Sequence, residues 1–192
     1  CLIGSALLFY AGWELTIVGL LCVLFAFLYT TGPYPLSYNG WGDVLVIVFF
    51  GFVPVGGTYY VQALTWTSDT TVASLICGLL IDTLLVVNNY RDREADARSG
   101  KRTVIVRFGE KFGRYLYLML GMTASLLCFW FFFEGHLFAA LLPLLYLIPH
   151  VLTWRRMVQI HSGKKLNSIL GETSRNMLLM GILLSIGFLI RH

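Results

Sequence analysis

Charge is what this chain has least of. Asp, Glu, Lys and Arg make up 12% of its 192 residues, against about 25% in an ordinary soluble domain, which excludes a solvated globular surface of normal composition. Cysteine is sparse too. Cys1, Cys22, Cys77 and Cys128 stand singly in apolar segments without a CxxC pair, so neither a disulfide framework nor a thiolate zinc site is expected. His136, His150, His161 and His192 are equally scattered, and no zinc or haem centre follows from them. There is no GxxxxGK[ST] phosphate loop. There is also no initiator Met and no leader of basic, apolar and small-residue regions. The chain opens at Cys1 in mid-hydrophobe, so the reading is a fragment whose N-terminal portion is missing.

Apolar residues are abundant instead, at 57% of the chain with a mean hydropathy of +0.75. A membrane-spanning helix takes about 20 of them in a row. Candidate spans are Leu15–Thr30, Val44–Trp66, Thr71–Tyr90, Tyr115–Phe133, Leu137–Trp154 and Asn176–Ile190, and Cys1–Ala11 is an apolar run too short to cross. The expectation is an all-α, polytopic transmembrane helical bundle forming one domain over residues 1–192, with about six full spans and one partial span. Of the 14 Lys and Arg, eight fall between Arg91 and Arg114, and another group runs from Arg155 to Arg175. By the positive-inside rule both basic loops are cytoplasmic, as is Thr31–Gly42 by parity, while the connections 67–70 and 134–136 face outward.

The basic loops also hold acids in order. Asn88, Asp92 and Asp96 recur every four residues, and if helix continues out of the span that step stacks them on one slowly drifting face. Asn89 begins the same cluster on an adjoining strip. Carboxylate and amide oxygens are hard ligands suited to Mg²⁺, while Arg91, Arg98, Lys101 and Arg102 beside them pair well with phosphate oxygens. The combination suits a magnesium-bound diphosphate, and its bland counterpart is a solvated mixed-charge loop. Asn88 and Asn89 favour the functional reading, because polar groups attached to an apolar span are costly. An EF-hand is excluded, since Ala97 follows Asp96 where Gly is required.

At these residues the sequence resembles the UbiA superfamily of intramembrane prenyltransferases. "NNYRDREADARSGKRTVIVRFG" (88–109) is similar to the second of that family's two aspartate-rich motifs, in the form used by the 1,4-dihydroxy-2-naphthoate branch of menaquinone synthesis. "YTTGPYPLSYNGWGD" (29–43) and "FFGFVPVGGTYYVQ" (49–62) are similar to the same branch. The resemblance implies a magnesium-dependent transfer of a polyprenyl group from polyprenyl diphosphate to 1,4-dihydroxy-2-naphthoate, in a bacterial inner membrane, with no nucleic-acid partner. It implies metal ligation by Asp92 and Asp96 with Asn88 as polar partner, substrate contacts from Asn89 and Arg91, and a diphosphate-binding cation at Lys101, or Arg102 if the loop shifts by one. A catalytic tyrosine falls on Tyr34. The hydroxybenzoate branch carries a Lys-Arg pair after the following proline, whereas Leu36, Ser37, Tyr38 and Asn39 stand here. It further implies that the first aspartate-rich motif lies upstream of Cys1, so the chain alone is expected to be inactive.

Asp82 lies in mid-span. Either it sits in the aromatic acceptor pocket as a hydrogen-bond acceptor or base, or it is a structural polar bridge to another helix. Gly51, Gly56 and Gly57 permit close helix approach, and Phe49, Tyr59 and Tyr60 are candidates for an apolar tunnel wall. A transporter with helices broken at Pro54 and Pro143 is the rival from another class, but no internal repeat is visible and the polar residues gather at one face. A CDP-alcohol phosphotransferase lacks its Asp-rich signature here.

Overall fold

The computed structural model describes residues 12–190, and the run Cys1–Ala11, Arg191 and His192 lie outside it. Six helices in it are long and apolar enough to cross a membrane: α1 (Trp13–Thr30), α2 (Gly42–Ala63), α3 (Ser68–Arg98), α4 (Val104–Phe133), α5 (Leu137–Ile160) and α6 (Leu166–Leu189). Several begin earlier or end later than hydropathy indicates, because helix continues past the apolar stretch wherever a cap or a packing partner carries it.

Helix α3 is the axis of the bundle, packed along α2 and α4 and also against α6. Thr67 starts it, its side-chain oxygen accepting from the Thr70 amide at 3.1 Å, which satisfies one of the orphan donors of a first turn. Its 31 residues rise about 46 Å at 1.5 Å each, well beyond the roughly 30 Å of hydrocarbon in a bilayer. The surplus carries Arg91–Arg98 out of the apolar zone as helix, so the four-residue step of the acids is a helical face.

Small residues set the α2–α3 crossing. A Cβ added to Gly78 would stand 2.9 Å from the Ile47 Cα, and one added to Gly51 2.8 Å from the Gly78 Cα. The two backbones are in contact, as lipid-embedded helices allow where side chains are absent. Gly56 packs under the Trp66 ring, whereas Gly57 meets nothing within 4 Å and has no such role. The proline breaks foreseen for α2 and α5 are local rewindings. Pro54 sits in a π-helical stretch, Ile47–Gly56, and Pro143 in a 3₁₀ turn, Leu142–Tyr146. Helix α4 starts at the Thr103 cap, whose hydroxyl accepts from the Val106 amide at 3.3 Å. It kinks at Gly109, where φ is 87°.

Buried polar groups fasten α4, α5 and α6. His150 stacks on Tyr117 and Tyr146, with ring centroids 4.8 and 5.0 Å away. It bonds the Tyr146 hydroxyl at 2.9 Å. Tyr117 and Thr173 share a hydrogen bond at 3.0 Å. Connections 31–41, 99–103 and 161–165 meet at one end of the bundle, where the Arg102 amide donates to the Tyr38 carbonyl at 2.7 Å and Arg93 Nη2 lies 3.3 Å from His161 Nδ1. The parity inferred from the basic loops is thereby reproduced.

Candidate functional site

The emerging turns of α3 form the site's floor. Arg91 grips both Asp92 oxygens, Nε to Oδ1 at 2.7 Å and Nη2 to Oδ2 at 2.6 Å. The same Nη2 donates to Asn88 Oδ1 at 2.7 Å, and Nη1 reaches Asn167 on α6 at 3.0 Å. One guanidinium thus locks two of the predicted ligands and ties their helix to another. Asp96 Oδ1 lies 3.4 Å from Lys101 Nζ, while its Oδ2 is buried and has no hydrogen-bond partner among the described residues.

The loop between α1 and α2 forms the roof, held by the Arg102 amide and by Arg107 Nη2, which donates to the Asn39 carbonyl at 2.7 Å. Floor and roof enclose a cavity of about 70 Å³ lined by Tyr29, Ser37, Asp43, Asn88, Asn89 and Lys101 among others. Lys101 is the cation that faces it, and the Arg102 side chain is exposed. Tyr34 stands 57% exposed on the roof loop and is not in the lining.

Asp82 is 2% exposed and its Oδ1 has no partner, as is also true of Asp43 Oδ1. The two are close enough to interact through their charge. Among the described residues, then, no hydrogen bond reaches Asp82 Oδ1 to make a bridge. Asp43, not singled out from the sequence, carried the same signal as Asn88: a polar side chain at the end of an apolar run. Glu110, which the sequence does not single out either, is the hub of a network. Tyr90 donates to it at 2.8 Å, Arg93 and His161 lie at 3.3 and 2.8 Å, and Arg114 pairs with it. Residues 90 and 93 occupy a different face of α3 from the acids, so this network braces the helix from behind.

Of the aromatic residues proposed for a tunnel, Phe49 lines an apolar cleft of about 470 Å³ with Phe25 and Tyr29, and Tyr60 lines another. Tyr59 lines neither. Among the described residues no group of three His, Cys, Asp or Glu is placed to hold a metal. The donors at hand are two carboxylates and an amide, hard oxygens that fit Mg²⁺ in type, since that ion takes one or two protein carboxylates and completes its shell with water and phosphate. Of the oxygens of Asn88, Asp92 and Asp96, the buried Asp96 Oδ2 is the one that no group among the described residues already holds.

A helical membrane bundle with acids and cations facing each other at one end is the class that fold and site define. The sequence pattern of the UbiA prenyltransferase family matches residues 1–187, and the chain belongs to that family. It is 36% identical over 180 residues to the 1,4-dihydroxy-2-naphthoate octaprenyltransferase of Haemophilus influenzae, covering 90% of this chain and 56% of that protein. Against the 1,4-dihydroxy-2-naphthoate octaprenyltransferase of Mycobacterium tuberculosis it is 43% identical over 62% of this chain and 40% of the relative. The UbiA prenyltransferase domain-containing protein 1 of Dictyostelium discoideum is 30% identical over 84% of this chain and 48% of its own length. The chain spans about half the length of the curated relatives it matches. No solved structure matches it significantly.

Proposed function

We propose that this chain supplies the second aspartate-rich half of a magnesium-dependent prenyltransferase, which moves a polyprenyl group from its diphosphate to 1,4-dihydroxy-2-naphthoate. Carbon dioxide and diphosphate leave, and demethylmenaquinol is the product. The basic end of the bundle faces the cytoplasm in this reading. The observation that carries it is the Asp96 carboxylate, one oxygen paired with Lys101, which lines the polar cavity, and the other buried without a hydrogen-bond partner among the described residues.

Bound Mg²⁺ would neutralise charge on the departing diphosphate oxygens, with Asn88, Asp92 and Asp96 as its holders. Lys101 places a further cation at the leaving group, where it favours the allylic C–O bond breaking with its electron pair on oxygen. Arg91 keeps Asn88 and Asp92 oriented toward the donor and, with Asn89, contacts the substrate. Tyr34 offers its ring face to the allylic cation once the roof loop closes. Buried Asp82 and half-buried Asp43, each with an Oδ1 that has no partner among the described residues, are the groups suited to accept a hydrogen bond from an acceptor hydroxyl. The apolar walls exclude water, which would otherwise capture the cation.

The acceptor assignment rests on the relatives' names and on Leu36, Ser37, Tyr38 and Asn39 standing where a hydroxybenzoate enzyme carries cations. Prenyl transfer by the full-length parent should proceed with dihydroxynaphthoate, fail with 4-hydroxybenzoate and stop on chelation of Mg²⁺. Equal turnover of the two acceptors would remove the naphthoate assignment.

A further inference from the structure

A cleft of about 480 Å³ lies between α5 and α6, lined by residues that the acid cluster does not use. Its floor is polar and satisfied: Asn176 donates to Thr153 Oγ1 at 2.9 Å, and Thr153 donates to Glu172 Oε2 at 3.4 Å. Glu172 Oε1 is held by Arg156 at 2.5 Å. Arg155 and Arg175, one on each wall, have no side-chain hydrogen bond or ion pair among the described residues. Both are exposed. Three guanidiniums therefore face one carboxylate, and two of the three are uncommitted.

Polarity is graded along the cleft. Pro149 and Leu152 form its deep end, with Leu152 54% exposed on the outside of the bundle. Arg155 lies five residues before the end of α5 and Arg175 nine residues after the start of α6, roughly 8 and 14 Å inside those ends at 1.5 Å per residue. From there, long side chains reach outward to the polar boundary of a bilayer. Arg155 is rooted above Leu152 and Arg175 about level with it. Both guanidiniums therefore reach the headgroup level by extending outward along their stems and leave Leu152 and Pro149 as apolar surface below, which matches an amphiphile standing upright in the membrane. Two free guanidiniums, with Glu172 already neutralised by Arg156, suit the phosphate oxygens of a phosphodiester.

We propose that this cleft binds an anionic phospholipid, its phosphodiester held between Arg155 and Arg175 and its acyl chain lying along Leu152 and Pro149. The inference requires only that the chain is a multi-pass membrane protein and is independent of the catalytic reading. Native mass spectrometry of the purified 192-residue chain tests it, with phosphatidylglycerol, phosphatidylcholine and inorganic phosphate as probes. Phosphatidylglycerol should bind saturably and in preference to phosphatidylcholine. In Arg155→Gln/Arg175→Gln its affinity should fall roughly tenfold or more, given the contribution expected of each cation near an anionic headgroup. The Arg155→Lys/Arg175→Lys chain should retain an intermediate affinity, since charge remains but the fork is lost. Equal binding of the two lipids by the unsubstituted chain would overturn the proposal without any variant having to fold. So would unchanged phosphatidylglycerol binding in the Gln variant, or inorganic phosphate binding that the lipid fails to displace, which would make this a soluble-anion site.

Discussion

Asp92 and Asp96 are held differently, and the difference separates their predicted behaviour. Arg91 occupies both oxygens of Asp92, so Asp92→Asn removes a ligand charge and also frees a guanidinium. Asp96 has one oxygen without a partner among the described residues and the other on Lys101, so Asp96→Asn removes charge and releases the Lys101 ammonium instead. In the full-length parent each should lower prenyl transfer by roughly 10²-fold or more while the protein stays inserted, and near-parental turnover at limiting Mg²⁺ would remove the metal assignment. Gly78 makes a separate case in packing. Gly78→Val forces a side chain into the α2 backbone at Ile47 and should cost about 1–3 kcal/mol, seen as a lower unfolding temperature in detergent. Gly57→Ala, with nothing near it, should leave that temperature unchanged. The sequence offered Gly51, Gly56 and Gly57 on equal terms. What distinguishes them is a partner glycine 27 residues after Gly51, and no local pattern encodes that pairing.

Among the elements, the six spans and the helical continuation of α3 could be read from hydropathy and from the four-residue step of Asn88, Asp92 and Asp96. The Glu110 hub could not. Its partners Tyr90, Arg93, Arg114 and His161 come from two helices and a loop, and only the folded arrangement brings them together. The π-helical stretch around Pro54 was equally hidden, because proline predicts a disturbance but not whether the helix ends or rewinds. Orientation remains an element-scale proposal with a direct test. In a background lacking the native cysteines, Ser68→Cys and Gly135→Cys should label from outside and Gly100→Cys only from the cytoplasm. Labelling of position 100 from the outer face alone would invert the topology.

For the molecule as a whole, the enclosed polar cavity of about 70 Å³ is far below the roughly 300–1,000 Å³ of ordinary ligand pockets. An octahedral Mg²⁺ wants six ligands, and this end of the chain offers two carboxylates and an amide. We expect the 192-residue chain by itself to bind prenyl diphosphate weakly and to transfer nothing measurable. We propose that a preceding segment, fused or co-expressed, restores magnesium-dependent prenylation of dihydroxynaphthoate. Robust turnover by the purified chain alone would show that one acidic cluster suffices.

Helix α1 has no buried residue, and it touches α2 through the Phe25–Phe49 ring pair at 5.3 Å. During synthesis it leaves the ribosome before α2 and α3 exist. Its 18 residues contain a single charge, Glu14, so insertion needs no partner. Association of independently inserted helices then follows as a second stage, to which α1 brings aromatic contact where α2 and α3 bring backbone contact. The roof of the candidate site is therefore strung from the span that, among the described residues, buries least against the rest of the bundle.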